Sequence, residues 1–294
     1  MVERIRRPLM WLVVVTGVSF ALVVALREAR ASSPTSTPQL PDLVVDEPDY
    51  VSLSVSETSP TGQPAEAKLL LRFNGYLHNK GPGALDFRGS REAPPNPSEP
   101  AVPKMNVFQR IYEYPTGPPP SGEVPHTDEE RPSARMEYVN ADGHHHWHLQ
   151  HIAFYSLWNS AESAEVAPAQ KVGFCLEDSE HRELAIGPAE AVYSDTVPPY
   201  RHFCEELKPE ATSLFEGISA GWRDLYERQL AFQWVDVSDV LPGEYRLRAE
   251  ADPEHLSSRL RVRNHRCSRT NRRSSRAMTR WLSHRAPRKI KRSA

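Results

Sequence analysis

The chain has 294 residues, of which 39% are hydrophobic and 25% charged, with six tryptophans, three cysteines and a formal charge of −2. This length and composition admit one large folded domain with additional segments, and they exclude a chain without a hydrophobic core. The charge is unevenly distributed, because the 38 residues from Ser257 to Ala294 contain 12 Arg and two Lys but no acidic residue.

The N-terminus has the pattern of an export signal. Three arginines within the first seven residues precede an uncharged stretch, Pro8 to Leu26, and Ala29-Arg30-Ala31 offers a small-x-small cleavage site. Nineteen residues also suffice to cross a bilayer, so residues 1–31 are either a cleaved signal peptide or a signal anchor. Both alternatives place the rest of the chain outside the cytoplasm, in the cell envelope or the extracellular space, with residues 32–41 as a linker.

Strand patterns outnumber helix patterns in the body of the chain. Between Ala93 and Pro125, ten of 33 residues are proline, which indicates an irregular loop or linker inside the domain. The sequence therefore predicts an all-β domain over residues 42–256, a β-sandwich with long loops, preceded by an N-terminal hydrophobic helix. The predicted strands are residues 67–76, 106–112, 147–158, 172–176, 232–235 and 243–250.

A histidine-rich run, Asp142 to His151, contains five of the twelve histidines. Imidazole is a preferred ligand of copper and zinc. In an extended strand His144, His146 and His148 would project from one face, whereas His145 and Trp147 would project from the other. A bend, which Gly143 permits, would bring the outer two histidines closer. The alternative is a solvated tract that binds metal adventitiously.

Three cysteines in an exported chain predict one disulfide and one remaining thiol. Cys175 and Cys204 flank a segment that has to return on itself, so we expect them to pair. Cys267 lies in the basic segment and is the unpaired one.

The basic segment, residues 257–294, is predicted to be a disordered tail attracted to an anionic surface. It has no signature of a fold that reads nucleic acid bases, so we expect no specific nucleic acid partner. Its abrupt change in composition has a second explanation, a reading-frame error near the end of the gene. If the tail is solvated, its deletion should leave the domain folded.

Four motifs in the same order resemble the catalytic domain of lysyl oxidases. The first is the histidine run, and the second is Lys171 to Asp178 (KVGFCLED). They are followed by Gly217 to Tyr226 (GISAGWRDLY) and Gln233 to Tyr245 (QWVDVSDVLPGEY). The resemblance covers roughly residues 41–256. The chain departs from the animal members in having few cysteines, and in the basic sequence that follows Leu256.

The resemblance implies a copper-dependent amine oxidase on a β-sandwich, whose quinone cofactor forms from its own Lys and Tyr. Carried over to this chain, the Cu²⁺ ligands are His144, His146 and His148. The cofactor is lysine tyrosylquinone (LTQ), formed from Lys171 and Tyr226. Asp224 is one candidate for the general base, and His151 is another.

The implied reaction is oxidative deamination of a primary amine by O2, giving an aldehyde, ammonia and H2O2. The acidic body suits a cationic substrate, either peptidyl lysine or a free diamine. Two other functions stay open at this point. One is a catalytically silent copper-binding protein of the cell envelope, and the other is an interaction protein whose basic tail docks on an anionic surface.

Overall fold

The computed structural model describes residues 37–58, 64–92, 104–114, 124–141, 144–194, 203–259 and 266–270. Only the backbone is described at residues 57–58, 64–66, 141, 144 and 266–270. Within these ranges the protein consists of strands and one 3-10 turn, with no α-helix. None of the described segments is a helix of the length and apolarity that a bilayer crossing needs. The expected N-terminal hydrophobic helix, residues 8–26, lies outside the described ranges.

The described elements follow one another in this order: β1 (Thr37–Gln39), β2 (Leu43–Val45), β3 (Asp49–Thr58), β4 (Pro64–Asn79), β5 (Leu85–Ser90), β6 (Lys104–Tyr114), β7 (His126–Glu130), β8 (Met136–Ala141), β9 (His144–Gln150), β10 (Ala153–Asn159), β11 (Glu165–Pro168), β12 (Gly173–Phe174), β13 (Glu180–His181), the 3-10 turn (Phe203–Glu205), β14 (Ser213–Ile218), β15 (Trp222–Tyr226), β16 (Trp234–Asp236), β17 (Tyr245–Ala251) and β18 (Arg266–Thr270).

These strands form three antiparallel sheets. The largest has the order β12-β9-β8-β6-β5-β14, and β1 and β7 also pair with β6. The second has the order β11-β10-β17-β18, and the third has the order β13-β15-β4-β16, with β2 and β3 also pairing with β4. The all-β class is thus confirmed for the described residues, whereas the arrangement as a sandwich stays a prediction.

The second and third sheets share a hydrophobic core, which is formed by alternating side chains of β10 and by side chains of β4. On β10, Ala153, Tyr155 and Leu157 are buried in the same hydrophobic cluster as Leu71 and Phe73 of β4. Strand β4 is buried from Leu69 to Asn79 except at the half-buried Arg72, so both of its faces are covered although this stretch contains polar residues. The third sheet therefore packs against the second through β4 and β10.

The predicted strand over residues 147–158 is two strands in two different sheets. Strand β9 belongs to the first sheet and β10 to the second. His151 separates them with a φ of 65°, in the left-handed region that non-glycine residues seldom adopt. This conformation turns the chain from one sheet into the other, and the alternating sequence did not reveal it.

The folded unit extends beyond both limits of the expected domain, residues 42–256. Strand β1 lies in the expected linker and pairs with β6. At the other end, the fully buried Gln109 side chain accepts a hydrogen bond from the Ser258 backbone N–H at 2.6 Å and donates one to the Ser258 carbonyl at 3.0 Å. Strand β18 pairs with β17. Part of the segment expected to be disordered is therefore structured.

Candidate active site

The histidine run forms strand β9, which pairs along its length with β8. His148 is buried, and Trp147 next to it is completely buried. The Trp147 indole N–H donates to the Lys208 carbonyl at 3.0 Å, and Tyr138 contacts its ring edge-on. His145 instead bonds to the Asn140 side chain at 2.8 Å. The neighbours of His146 and His148 therefore anchor the strand to other parts of the fold.

His146 and His148 lie together, as two residues separated by one position on a strand should. Their Nε2 atoms are 2.8 Å apart and their ring centroids 4.6 Å apart. Burial lowers the pKa of His146 to about 4, and the neighbouring charges of Lys171 and His145 add to this. The imidazole is thus neutral near pH 7, which is the form that binds metals. Of His144, the structure describes only the backbone.

Lys171 is brought to the same region by β12, which pairs with β9. Its side chain is 3% exposed, and its Nζ atom lies 4.7 Å from the centroid of the Tyr226 ring. Burial lowers the pKa of Lys171 to about 8, although the charge of Asp224 opposes this shift. A lysine with this pKa has a substantial neutral fraction near pH 7 to 8, so it is available as a nucleophile.

Tyr226 and Asp224 share one face of β15, because they are two residues apart on the strand. The Tyr226 hydroxyl donates to the Cys175 carbonyl at 2.6 Å, and its ring meets the Phe174 ring edge-on. Burial raises the pKa of Asp224 well above its ordinary value, and the charge of Glu177 raises it further. The structure thus brings Lys171, Tyr226 and Asp224 together, near enough to His146 for the Lys171 charge to affect it.

His151, the other candidate base, has a different environment. It is exposed, and its Nδ1 atom lies 2.7 Å from a carboxylate oxygen of Glu254. This surface pairing favours Asp224 for the role.

Cys175 and Cys204 form a disulfide, as expected. Their sulfur atoms lie close to the buried Glu216 carboxyl, a grouping that would resemble a metal site if the cysteines were thiolates. Sulfurs joined in a disulfide are not thiolate ligands, so this group is not a metal site in the oxidised protein. Glu216 accepts a hydrogen bond from the Leu176 N–H at 2.8 Å and thereby helps to fix the segment that contacts Tyr226.

Three further residues near the site were missed in the sequence: Glu216, Tyr155 and Gln233. Glu216 and Tyr155 occupy ordinary strand positions outside the four motifs, and Gln233 opens the fourth motif but was given no role there. Only the burial of their polar groups distinguishes them. The burial of a polar atom is a tertiary property, so the sequence offered no signal for Glu216 and Tyr155, and for Gln233 only its place in the fourth motif.

Comparison with known proteins places the chain in a family. A family model described as lysyl oxidase matches residues 125–279, more than half of the chain. The chain belongs to the lysyl oxidase family. The lysyl oxidase match continues past residue 256 into the basic segment, in agreement with the pairing of β18.

Relatives named as lysyl oxidases agree with this assignment. The chain is 31% identical to lysyl oxidase homolog 1 of Homo sapiens over 126 residues, which are 43% of this chain and 18% of that protein. It is 29% identical to protein-lysine 6-oxidase of Gallus gallus over 126 residues, 43% of this chain and 25% of the relative. With lysyl oxidase homolog 2B of Danio rerio the identity is 25% over 202 residues, 69% of this chain and 18% of the relative. These matches thus span a quarter or less of each relative's length.

Proposed function

We propose that this protein is an exported, copper- and quinone-dependent amine oxidase that converts a primary amine to an aldehyde, with release of ammonia and H2O2. The observation that carries the proposal is the approach of the Lys171 amine to the Tyr226 ring, 4.7 Å from its centroid, beside the paired histidines. A catalytically silent copper protein would have no need for a buried lysine at this tyrosine. Membership of the lysyl oxidase family supports the same reaction class.

The donor atoms fit copper. The Nε2 atoms of His146 and His148 lie 2.8 Å apart, and two imidazoles bound to one ion at about 2.0 Å would have a similar separation if they occupied adjacent positions. We propose that His144 at the start of β9 supplies the third imidazole. When bound, copper together with O2 supplies the chemistry that oxidises Tyr226 to an ortho-quinone and allows Lys171 to join it as lysine tyrosylquinone.

The chain's own residues prepare that chemistry. The neutral form of Lys171 presents a lone pair to the Tyr226 ring. Phe174 packs against the same ring and helps to hold it in place. Asp224 is the proposed base, because its raised pKa makes its carboxylate a stronger base than that of an ordinary aspartate, and it can accept a proton from the carbon next to the substrate nitrogen.

The charge of the chain and its disulfide support the proposed substrate class and location. The excess of acidic residues before Ser257 attracts cationic amines, either peptidyl lysine or free diamines. The Cys175–Cys204 disulfide is consistent with an oxidising compartment outside the cytoplasm. Whether residues 8–26 anchor the protein and whether the basic segment binds an anionic surface stay predictions.

The proposed function is tested by trapping the quinone cofactor with a reagent that reacts with its carbonyl groups. Copper-loaded protein that has been exposed to air is treated with phenylhydrazine, which reacts with quinone carbonyls. We expect a coloured adduct on a peptide that contains both Lys171 and Tyr226, together with amine-dependent H2O2 release. Lys171→Ala and Tyr226→Phe should each abolish both signals while leaving bound copper nearly unchanged.

Matched controls are Lys104→Ala, at an exposed lysine paired with Glu137, and Tyr114→Phe, at a tyrosine that bonds to the Pro82 carbonyl. Both should retain the adduct and the H2O2. Wild-type protein that holds copper but yields neither crosslinked peptide nor H2O2 with any primary amine would establish the silent copper-binding function instead.

A further inference from the structure

Buried polar atoms without hydrogen-bond partners gather behind Tyr226. They are the hydroxyl of Tyr155, both polar atoms of the Gln233 side chain, and one carboxyl oxygen of Asp224, Oδ2. All three side chains are at most 1% exposed. Buried polar groups in native proteins are nearly always satisfied by protein atoms or by ordered water, so a group of unsatisfied atoms indicates bound water.

Gly75 is the point at which two of these side chains meet. It pairs with Tyr226 across β4 and β15. A Cβ atom at Gly75 would lie 2.4 Å from the Tyr155 hydroxyl and 2.9 Å from the Gln233 amide nitrogen. Both groups therefore occupy the space that a side chain at residue 75 would fill, close enough together for one water molecule to bridge them.

This space lies on the same side of the sheet as Tyr226 and Asp224. Side chains directly opposite each other on antiparallel strands share a face, and so do residues two apart on one strand. The Asp224 charge is also near enough to act on Tyr155, whose pKa is raised mainly by burial and further by Asp224, while a contact with the Tyr76 backbone lowers it. Around these groups the lining is apolar, with Phe73 and Phe174 in contact with the Tyr155 ring.

We infer that Tyr155, Gln233 and Asp224 enclose a buried water-binding site beside Tyr226, which exists because residue 75 is a glycine. Its role rests on the proposed amine oxidation, whose balance is R–CH2–NH2 + O2 + H2O → R–CHO + NH3 + H2O2. The substrate carbon is oxidised, O2 is reduced to H2O2, and the aldehyde oxygen comes from water. Because the surroundings of Tyr226 are apolar, polar side chains have to hold this water in place. Asp224 can accept a proton from the water molecule as the water attacks the substrate carbon.

The first experiment needs neither copper nor activity. Oxygen-17 relaxation dispersion counts long-lived internal waters in the metal-free protein. Tyr155→Phe and Gln233→Leu should each lose at least one such water relative to wild type, and so should Gly75→Ala. The Tyr114→Phe control removes a buried hydroxyl that already bonds directly to a carbonyl, so it should keep the wild-type number.

An unchanged water count in all three variants would overturn the site. So would a high-resolution crystal structure in which the Gln233 amide bonds directly to the Tyr155 hydroxyl with no water between them. If Gln233→Leu does not fold, Tyr155→Phe decides, because it removes a single oxygen atom.

The second experiment tests the role. In copper-loaded enzyme, Tyr155→Phe should lower kcat by about tenfold or more with little change in KM, because loss of a positioned water removes proton transfer and not substrate binding. The phenylhydrazine adduct should form as in wild type. An unchanged kcat in a variant that has lost the water would refute the role. If wild-type protein oxidises no amine, the proposed function fails, while the relaxation count still decides the water site.

Discussion

Burial controls the charge of the side chains around Tyr226. Lys171 and His146 are both shifted towards their neutral forms, and Asp224 is shifted towards its protonated form. Each shift has desolvation as its largest cause, since a buried charge loses its hydration. Near pH 7 the His146 imidazole is therefore neutral, and about a tenth of the Lys171 amine is in the neutral, nucleophilic form.

The pKa of Lys171 predicts how crosslinking depends on pH. Only the neutral amine can add to an oxidised tyrosine ring, and its fraction increases as pH increases through about 8. We expect the initial rate of crosslinked peptide formation to rise between pH 6 and 8 and to level off above about 9. Mass spectrometry of copper-loaded protein held at each pH measures the rate. A rate independent of pH over this range would contradict the prediction.

Copper binding should depend on one face of β9. His146→Ala removes an imidazole next to His148, so we expect the affinity for copper to fall by at least about tenfold to a hundredfold. His145→Ala is the control, because His145 bonds to Asn140 on the other face. Equilibrium dialysis with metal analysis measures the bound ion. Equal losses in the two variants would indicate an unspecific histidine tract.

At the scale of elements, a polar cluster fastens β2, β4 and β15 together. Asp46, directly after β2, accepts hydrogen bonds from His78 at 3.2 Å and from Arg223 at 3.1 Å. Burial alone would raise the pKa of Asp46, but these partners outweigh it and lower the pKa to about 2. Because Arg223 is on the strand that carries Asp224 and Tyr226, the cluster supports the site.

The Asp46 cluster should stabilise the fold above about pH 4. Its folded pKa is below the ordinary 3.8, so its contribution is present above that value and is lost as pH falls towards 2. Asp46→Asn should lower the free energy of unfolding by about 1 kcal/mol at pH 7, because solvent screens this partly exposed carboxylate, and by much less at pH 2. Urea denaturation at both pH values measures the difference. An equal loss at the two values would mean that charge is not the cause.

The disulfide connects two elements beside the site. Cys175 follows β12 and provides the carbonyl that accepts from Tyr226, and Cys204 lies in the 3-10 turn. Cys204→Ser should lower the free energy of unfolding by about 3.5 kcal/mol for a sequence separation of 29 residues, in the chain-entropy model. It should also lower the yield of crosslinked peptide. Thermal unfolding and peptide mapping measure the two effects, and a normal yield would show that the disulfide does not position Tyr226.

At the scale of the whole molecule, the structure changes the expectation for the basic segment. Hydrogen bonds hold Ser257 and Ser258 against the domain. Asp252 accepts bonds from the Ser257 backbone N–H and hydroxyl, and the Gln109 side chain bonds to both the N–H and the carbonyl of Ser258. Deletion from Ser257 onward removes these contacts and strand β18. The sequence alone predicted that this deletion would leave the domain folded.

Two truncations separate the tail from the fold. Deletion of residues 257–294 should lower the melting temperature by several degrees, because the buried Gln109 loses both bonds to Ser258 and the buried Asp252 loses both bonds from Ser257. Deletion of residues 271–294 spares every described contact and should leave the melting temperature close to wild type. Thermal unfolding of the two truncated proteins and the full chain, followed by circular dichroism, measures the melting temperatures. Equal melting temperatures would restore the expectation of a wholly independent tail.

The sequence alone determined what depends on local periodicity and on motif order. The alternation of the run predicted that His146 and His148 share a face, and the strand pattern of residues 67–76 predicted part of β4. The ordered motifs identified the family, and the resemblance predicted Lys171 and Tyr226 as the cofactor pair. These features are encoded by neighbouring residues, whose side-chain directions follow from the strand itself.

Only the tertiary structure decided what depends on pairing between distant segments. Lys171 meets Tyr226 because β12 pairs with β9 in one sheet and β15 pairs with β4 in another. The turn at His151 and the bracketing of Ser258 by Gln109 also join segments whose proximity no local pattern encodes. The unsatisfied atoms of Tyr155 and Gln233 became visible for the same reason, since burial is a property of the assembled core and not of a residue's neighbours in sequence.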